Sequence, residues 1–91
     1  MNKSELIAAA ADKADMSKAD MGRALDAVVD TIADAVASGQ KVAITNFGSF
    51  ERRDRAARTG RNPQTGAEMQ VPASRAPAFK PGKPFKDKVN T

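Results

Sequence analysis

Between Glu51 and Met69 the chain carries five arginines, Arg52, Arg53, Arg55, Arg58 and Arg61, with no lysine and no Leu, Ile, Val or Phe. A segment so poor in bulky apolar side chains cannot build a core, so it has to be an appendage supported by the residues on either side. At its middle stands Asn62-Pro63-Gln64-Thr65-Gly66. Proline presets φ for the second position of a turn, and glycine accepts the positive φ that closes one. The simplest geometry is a long hairpin turning at Pro63. At about 3.3 Å per residue, six to nine residues on each side would project roughly 20–30 Å. A lone two-stranded ribbon of that kind is marginal in water, which implies mobility until something binds it.

The flanking residues supply the support. Asn2, with Glu5 three residues on, begins a first helix, whose apolar stripe is expected at Leu6, Ile7, Ala10 and Ala14. Ser17 and Asp20 begin a second after a tight corner, with Met16 and Met21 placed to form a hydrophobic staple. Met21, Leu25, Val28, Ile32 and Ala35 or Val36 then recur at spacings of three and four, and Gly39 is a natural stop. Asp26, Asp30 and Asp34 lie four apart on another face, an acidic helix surface with no histidine nearby rather than a metal or catalytic site.

Beyond Gly39 the period shortens to two. Val42 and Ile44 alternate with polar or small residues, Asn46-Phe47-Gly48 interrupts, and a second strand runs from Ser49. Phe47 and Phe50 are expected to be core anchors packing on the helical stripes. A third strand returns from Val71 to Phe79 or Lys80, its prolines suited to an edge or irregular place. Pro81 and Gly82 break it, and Pro84 suits the first turn of a short closing helix with Phe85 and Val89 inward and Lys83, Lys86 and Lys88 outward.

The 91 residues form one expected domain, with a helical region at 1–40, a sheet and arm at 41–82 and a closing helix at 83–91. Its apolar complement is thin: 19 Leu, Ile, Val, Phe and Met, 18 Ala, and no Trp or Tyr. With no Cys or His, neither disulfides nor a metal of the usual kinds can compensate, so association with a second chain is the expected remedy. No metal or cofactor is expected. The opening residues do not resemble a signal peptide, since Asp12 breaks the apolar stretch at Ala8–Ala11, and no stretch is long enough to span a bilayer. A cytoplasmic protein without membrane attachment is expected.

The net charge of +4 hides an asymmetry. Residues 1–40 hold four Lys or Arg against seven Asp or Glu, a net −3, while residues 41–91 hold eleven against four, a net +7. A cationic half fits a polyanion binder, because cations placed near phosphates release condensed counterions. A solvated basic surface would show the same balance. Without His, Cys or Tyr, and without a Gly-rich phosphate loop, an enzyme is not expected. The one serine beside a basic residue, Ser74, reads as a loop hydroxyl. Arginines on a hairpin with proline at its tip match a different task, since Arg can enter a minor groove and an apolar wedge can open a base step.

Three longer runs sharpen this reading: Phe-Gly-Ser-Phe-Glu-Arg-Arg-Asp-Arg-Ala-Ala-Arg-Thr-Gly-Arg-Asn-Pro-Gln-Thr-Gly from Phe47, Val-Pro-Ala-Ser from Val71, and Pro-Ala-Phe-Lys-Pro-Gly-Lys from Pro77. Together with the opening Met-Asn-Lys-Ser-Glu-Leu, they resemble the HU and integration-host-factor family of bacterial nucleoid proteins over essentially the whole length. The resemblance implies an α+β fold with two N-terminal helices, a three-stranded antiparallel sheet with a long protruding β-arm, and a short C-terminal helix, in an intertwined dimer. It implies a non-sequence-specific architectural protein that bends and wraps double-stranded DNA in the nucleoid, preferring bent, nicked or gapped forms. A homodimer is expected, with a heterodimer with a paralogue as the alternative, and RNA stands as an alternative secondary ligand.

By the same resemblance Pro63 is the intercalating wedge. Arg55, Arg58, Arg61, Asn62, Gln64 and Thr65 line the groove, while Arg53, Arg75, Lys80, Lys83 and Lys86 contact phosphates along the arm base and saddle. Strict alternation puts Arg52 and Arg58 on one face of the arm and Arg53 and Arg55 on the other. Two positions depart from the family pattern: Asn46, where glycine is common, and Pro84-Phe85 at the start of the last helix. Neither threatens the fold, as Asn tolerates left-handed backbone and Pro suits a first turn. A site-selective integration-host-factor subunit, an RNA-binding basic protein and a partner-binding module are the rival readings.

Overall fold

The computed structural model describes residues 1–91. Contacts gather residues 1–34 and residues 35–91 into two compact units. The first unit contains α1 (Lys3–Ala14) and most of α2 (Lys18–Ala37). Asn2 caps α1, its Oδ1 accepting from the Glu5 amide at 2.9 Å, and Ser17 caps α2 by accepting from the Asp20 amide at 3.0 Å. Asp15 makes the corner in the left-handed region at φ 53°, with the Met16 amide donating back to the Ala11 carbonyl at 2.9 Å. Lys3 Nζ, 2.7 Å from Asp26 Oδ1, ties the start of α1 to α2.

The helical stripes differ in detail from the expected ones. In α1 the buried residue is Ala11, 2% exposed, while Leu6 and Ala14 face outward. Ile7 lies one turn before Ala11, and its Cδ1 would sit 3.8 Å from a Cβ placed on Gly22. The apolar line runs through Ile7 and Ala11 with Ala10 half-buried beside it, so Ile7 and Ala10 of the expected stripe turn inward while Leu6 and Ala14 do not. In α2, Met21, Leu25, Ile32 and Ala35 are half-buried and Val36 is buried, but Val28 is 53% exposed, as is Val29. Met16, expected in a staple, is also exposed. The stop at Gly39 is as expected: its amide donates to Val36 and that of Gln40 to Ala35, the paired bonds of a Schellman motif.

The second unit is built on a three-stranded antiparallel sheet of β1 (Val42–Ile44), β2 (Gly48–Arg55) and β5 (Ser74–Pro81), in the order β1-β2-β5. Asn46 makes the β1–β2 turn at φ 68°. The third strand runs one residue further than expected, to Pro81, and as an edge strand it tolerates Pro77, which has no amide to donate. Phe50 pairs directly with Phe79, and Val42 with Phe50 from the other side. Phe47 stacks on Phe85 of α3 (Lys83–Val89) with centroids 5.0 Å apart, while Phe79 lies 5.3 Å from Phe47 and 4.9 Å from Phe50. The four phenylalanines therefore anchor on one another within the second unit. Val89, expected inward, is 72% exposed: it shares the face of Phe85 but stands at the last residue of α3, beyond the aromatic cluster.

Beyond Arg55 and Ser74 the ladder lapses for two residues on each side, Ala56–Ala57 against Pro72–Ala73. Pro72 has no N–H to contribute there. Pairing resumes as a two-stranded ribbon of β3 (Arg58–Arg61) and β4 (Glu68–Val71), closed by residues 62–67.

Gly48 is the tightest point of the sheet. A Cβ there would lie 2.5 Å from the Lys80 carbonyl oxygen and 2.7 Å from the Phe79 ring, whereas on Gly60 of the ribbon its nearest neighbour would be Val71 Cγ2 at 3.5 Å. Gly48→Ala should therefore cost about 1–3 kcal/mol through overpacking. Gly60→Ala should stay within about 0.5 kcal/mol of the parent. Denaturant midpoints compared at one fixed chain concentration check both.

Candidate nucleic-acid interface

Alternation along β2 and β5 sorts the charges of the sheet. Ser49, Glu51, Arg53 and Arg55 share a face with their partners Lys80, Ala78, Ala76 and Ser74, while Phe50, Arg52 and Asp54 share the other with Phe79, Pro77 and Arg75. Lys41, adjacent to Val42, falls on the first face. That face carries Lys41, Arg53, Arg55 and Lys80 around a single acid, Glu51. Lys80 Nζ lies 2.9 Å from Glu51 Oε1, and Arg53 Nε 4.0 Å from it.

Arg75 lies on the opposite face from Arg53, Arg55 and Lys80, so the sequence-derived phosphate contacts do not form one row. In the ribbon the register also separates Arg58, which shares a face with Gly60, Met69 and Val71, from Arg61, which shares the other with Thr59, Glu68 and Gln70. Arg55, Arg58, Arg61, Arg75 and Lys86 make no ion pair within the chain. Lys83, by contrast, is bonded to Asp87 at 2.9 Å, an exposed i, i+4 pair of small energetic consequence.

The tip is held by its own side chains. Asn62 Oδ1 accepts from the Gln64 amide at 2.9 Å, the Gly66 amide donates to the Asn62 carbonyl at 2.7 Å, and Asn62 and Ala67 close the loop at 2.9 Å. Thr65 Oγ1 accepts from the Ala67 amide at 3.3 Å, and Gly66 takes φ 71°. Two expected groove residues, Asn62 and Thr65, thus shape the turn. Pro63 stands exposed at its apex, with Gln64 exposed beside it.

Arg52 belongs to a different structure. Its side chain is only 22% exposed, NH1 donates to the Ala37 carbonyl at 3.0 Å and NH2 to Asp54 Oδ2 at 3.2 Å. Nε lies 2.9 Å from Asp54 Oδ1, but its N–H points off that line, so the contact there is Coulombic. Lys41 is the residue of the basic sheet face that the sequence reading passed over, although alternation from Val42 would have placed it there.

The fold and this site define a class: a small α+β protein presenting a basic sheet face continued by a proline-tipped arginine ribbon. Residues 1–90 match the family described as bacterial DNA-binding protein. Over 89 residues the chain is 58% identical to DNA-binding protein HU of Geobacillus stearothermophilus, covering 98% of this chain and 99% of that one. It is 56% identical to DNA-binding protein HU 1 of Bacillus subtilis, covering 98% and 97%. Among solved structures it resembles an Anabaena HU–DNA cocrystal structure, with TM-score 0.86, 52% identity and coverage of 98% and 97%, and HU from Thermotoga maritima, with TM-score 0.69, 39% identity and 98% of each chain. The chain belongs to the bacterial DNA-binding protein family.

Glu51 gives the basic face a measurable signature. Its hydrogen bond with Lys80 holds its carboxyl below the usual 4.5; desolvation opposes this, and the charges of Lys80, Lys41 and Arg53 reinforce it. A lowered carboxyl contributes stability that is fully present above 4.5 and is lost as pH falls through the lowered value. An NMR titration of the Glu51 carboxyl should find its midpoint below 4.5 in the parent and closer to 4.5 in Lys80→Gln.

Proposed function

We propose that this chain is an architectural protein that binds double-stranded DNA with little base specificity and bends it. The observation that carries this reading is the exposed Pro63 at the apex of a ribbon whose arginines have no partners within the chain. Family membership supports it, as do the names of the HU relatives and the DNA in the Anabaena cocrystal.

Attraction comes first. Lys41, Arg53, Arg55 and Lys80, with Arg75, Lys83 and Lys86 around them, exchange condensed counterions for phosphates, a gain that ignores sequence and falls with salt. Deformation comes second. Arg55, Arg58, Arg61, Asn62, Gln64 and Thr65 follow the minor groove while Pro63 enters a base step, at a cost of a few kcal/mol per unstacked step offset by the phosphates a bent duplex brings within reach. Bent, nicked or gapped DNA carries part of that deformation already and binds more tightly.

The protein works as a dimer, a homodimer or a pair with a paralogue. Only Ala11 and Val36 are buried in one chain, while Phe47, Phe79, Val28 and Val29 stay exposed, which is far short of a core for 91 residues. Residues 1–91 act as one DNA-binding module in which 1–40 serve dimerisation, 41–82 supply the sheet and arm, and 83–91 close it. It has no catalytic role and acts in the bacterial nucleoid. No helix is long and apolar enough to cross a membrane.

Pro63→Ala tests the wedge. The variant should keep most of its low-salt affinity for straight duplex, since no charge is lost, but bend DNA less by fluorescence energy transfer and prefer nicked over straight duplex less strongly. Full bending by a variant that binds normally would overturn the role of Pro63.

A further inference from the structure

Asp54 stands between two arginines. Arg75 is its direct cross-strand partner. Such pairs bring Cβ atoms to about 4.5–5.5 Å, well within reach of a carboxylate–guanidinium bond. Yet Asp54 bonds to Arg52, two residues along its own strand and on the same face, and Arg75 has no ion pair. The choice has a structural cause. The Arg52 guanidinium is fixed from behind by the Ala37 carbonyl at 3.0 Å and lies 3.5 Å from the position a Cβ would take on Gly39, so it reaches Asp54 already oriented. Opposite Arg52 stands Pro77, which offers no competing polar group.

We propose that Arg52 is a positioning residue for DNA binding: by occupying Asp54 it keeps Arg75 free to meet a phosphate at the root of the arm. This rests on the reading of Arg75 as a phosphate contact. Arg52 itself touches no DNA. It is mostly covered, and its guanidinium is spent on the Ala37 carbonyl and the Asp54 carboxylate. When Arg52 is removed, the Asp54 carboxylate turns to the nearest cation, Arg75, and one phosphate contact per chain is weakened without any change to the arm's own arginines.

The mechanism separates from a direct contact by its dependence on Asp54. Arg52→Gln should weaken binding to a nicked duplex at low salt about three- to tenfold and flatten the salt dependence, whereas Arg52→Gln in an Asp54→Asn background should cost little relative to Asp54→Asn alone. Arg52→Lys, which retains a cation beside Asp54, should stay close to the parent, and it serves if loss of the Ala37 bond leaves the Gln variant too unstable. In the DNA-free protein the Arg75 Nε–H resonance should move on Arg52→Gln only when Asp54 is present. Equal losses in both backgrounds, or an Arg75 resonance that Arg52→Gln leaves in place, would overturn the proposal. If the resonance moves as expected but Arg75→Gln binds DNA like the parent, the ion-pair exchange stands and Arg75 as a phosphate contact fails.

Discussion

The antiparallel register between β2 and β5 decides what the second unit can do. Setting Phe50 against Phe79 also sets Glu51, Arg53 and Arg55 opposite Ala78, Ala76 and Ser74, so one choice assigns aromatic residues to one surface and the row of cations to the other. A slip of one residue would turn Phe50 out and Arg53 in, exposing an aromatic ring and burying a guanidinium together. The register is held by close fit at Gly48, where the Phe79 ring and the Lys80 carbonyl leave no room for a side chain, and by the mutual packing of Phe47, Phe50, Phe79 and Phe85. Local packing thus fixes the electrostatics of the opposite face.

The same register reaches into the arm but weakens there. The ladder lapses at Ala56–Ala57 and Pro72–Ala73, and the ribbon beyond is two-stranded with one apolar line, Gly60, Met69 and Val71. Its order comes from the tip, where Asn62 and Thr65 use their side chains to close the turn beneath Pro63. A tip closed by its own side chains on a stem with an interrupted ladder suits the proposed role, in which Pro63 enters a base step while the stem follows a curved groove. The scarcity of buried residues in a single chain belongs to the same economy: apolar surface at Val28, Val29, Phe47 and Phe79 that one chain leaves open is what the proposed partner would cover.

Much of this was legible in the residues. Asn2, Ser17 and Gly39 marked helix ends because capping depends on a side chain or a backbone freedom visible in the letter itself, and Asn46 and Gly66 marked their turns for the same reason. The hairpin tip followed from Pro63 between Asn62 and Gly66. Harder to read was anything set by partners distant in sequence. The α1 stripe included Ile7 and Ala10 but missed Ala11, since in an alanine-rich helix one alanine looks like the next and only packing distinguishes them. Val89 was assigned inward from its spacing to Phe85, although a seven-residue helix has little room for two inward turns. The faces of Arg75 and Arg61 depended on a register that no single strand reveals, and the pairings of Lys80 with Glu51 and Arg52 with Asp54 required the sheet to exist first.

The central claim is that this basic, proline-tipped ribbon grips duplex DNA by charge and by deformability together. Its most direct test is the equilibrium affinity for a straight and a nicked duplex of one sequence, each at two salt concentrations. The account predicts tighter binding to the nicked duplex at both concentrations and a steep loss of affinity with salt for each. Equal affinity for the two duplexes, or binding insensitive to salt, would contradict it.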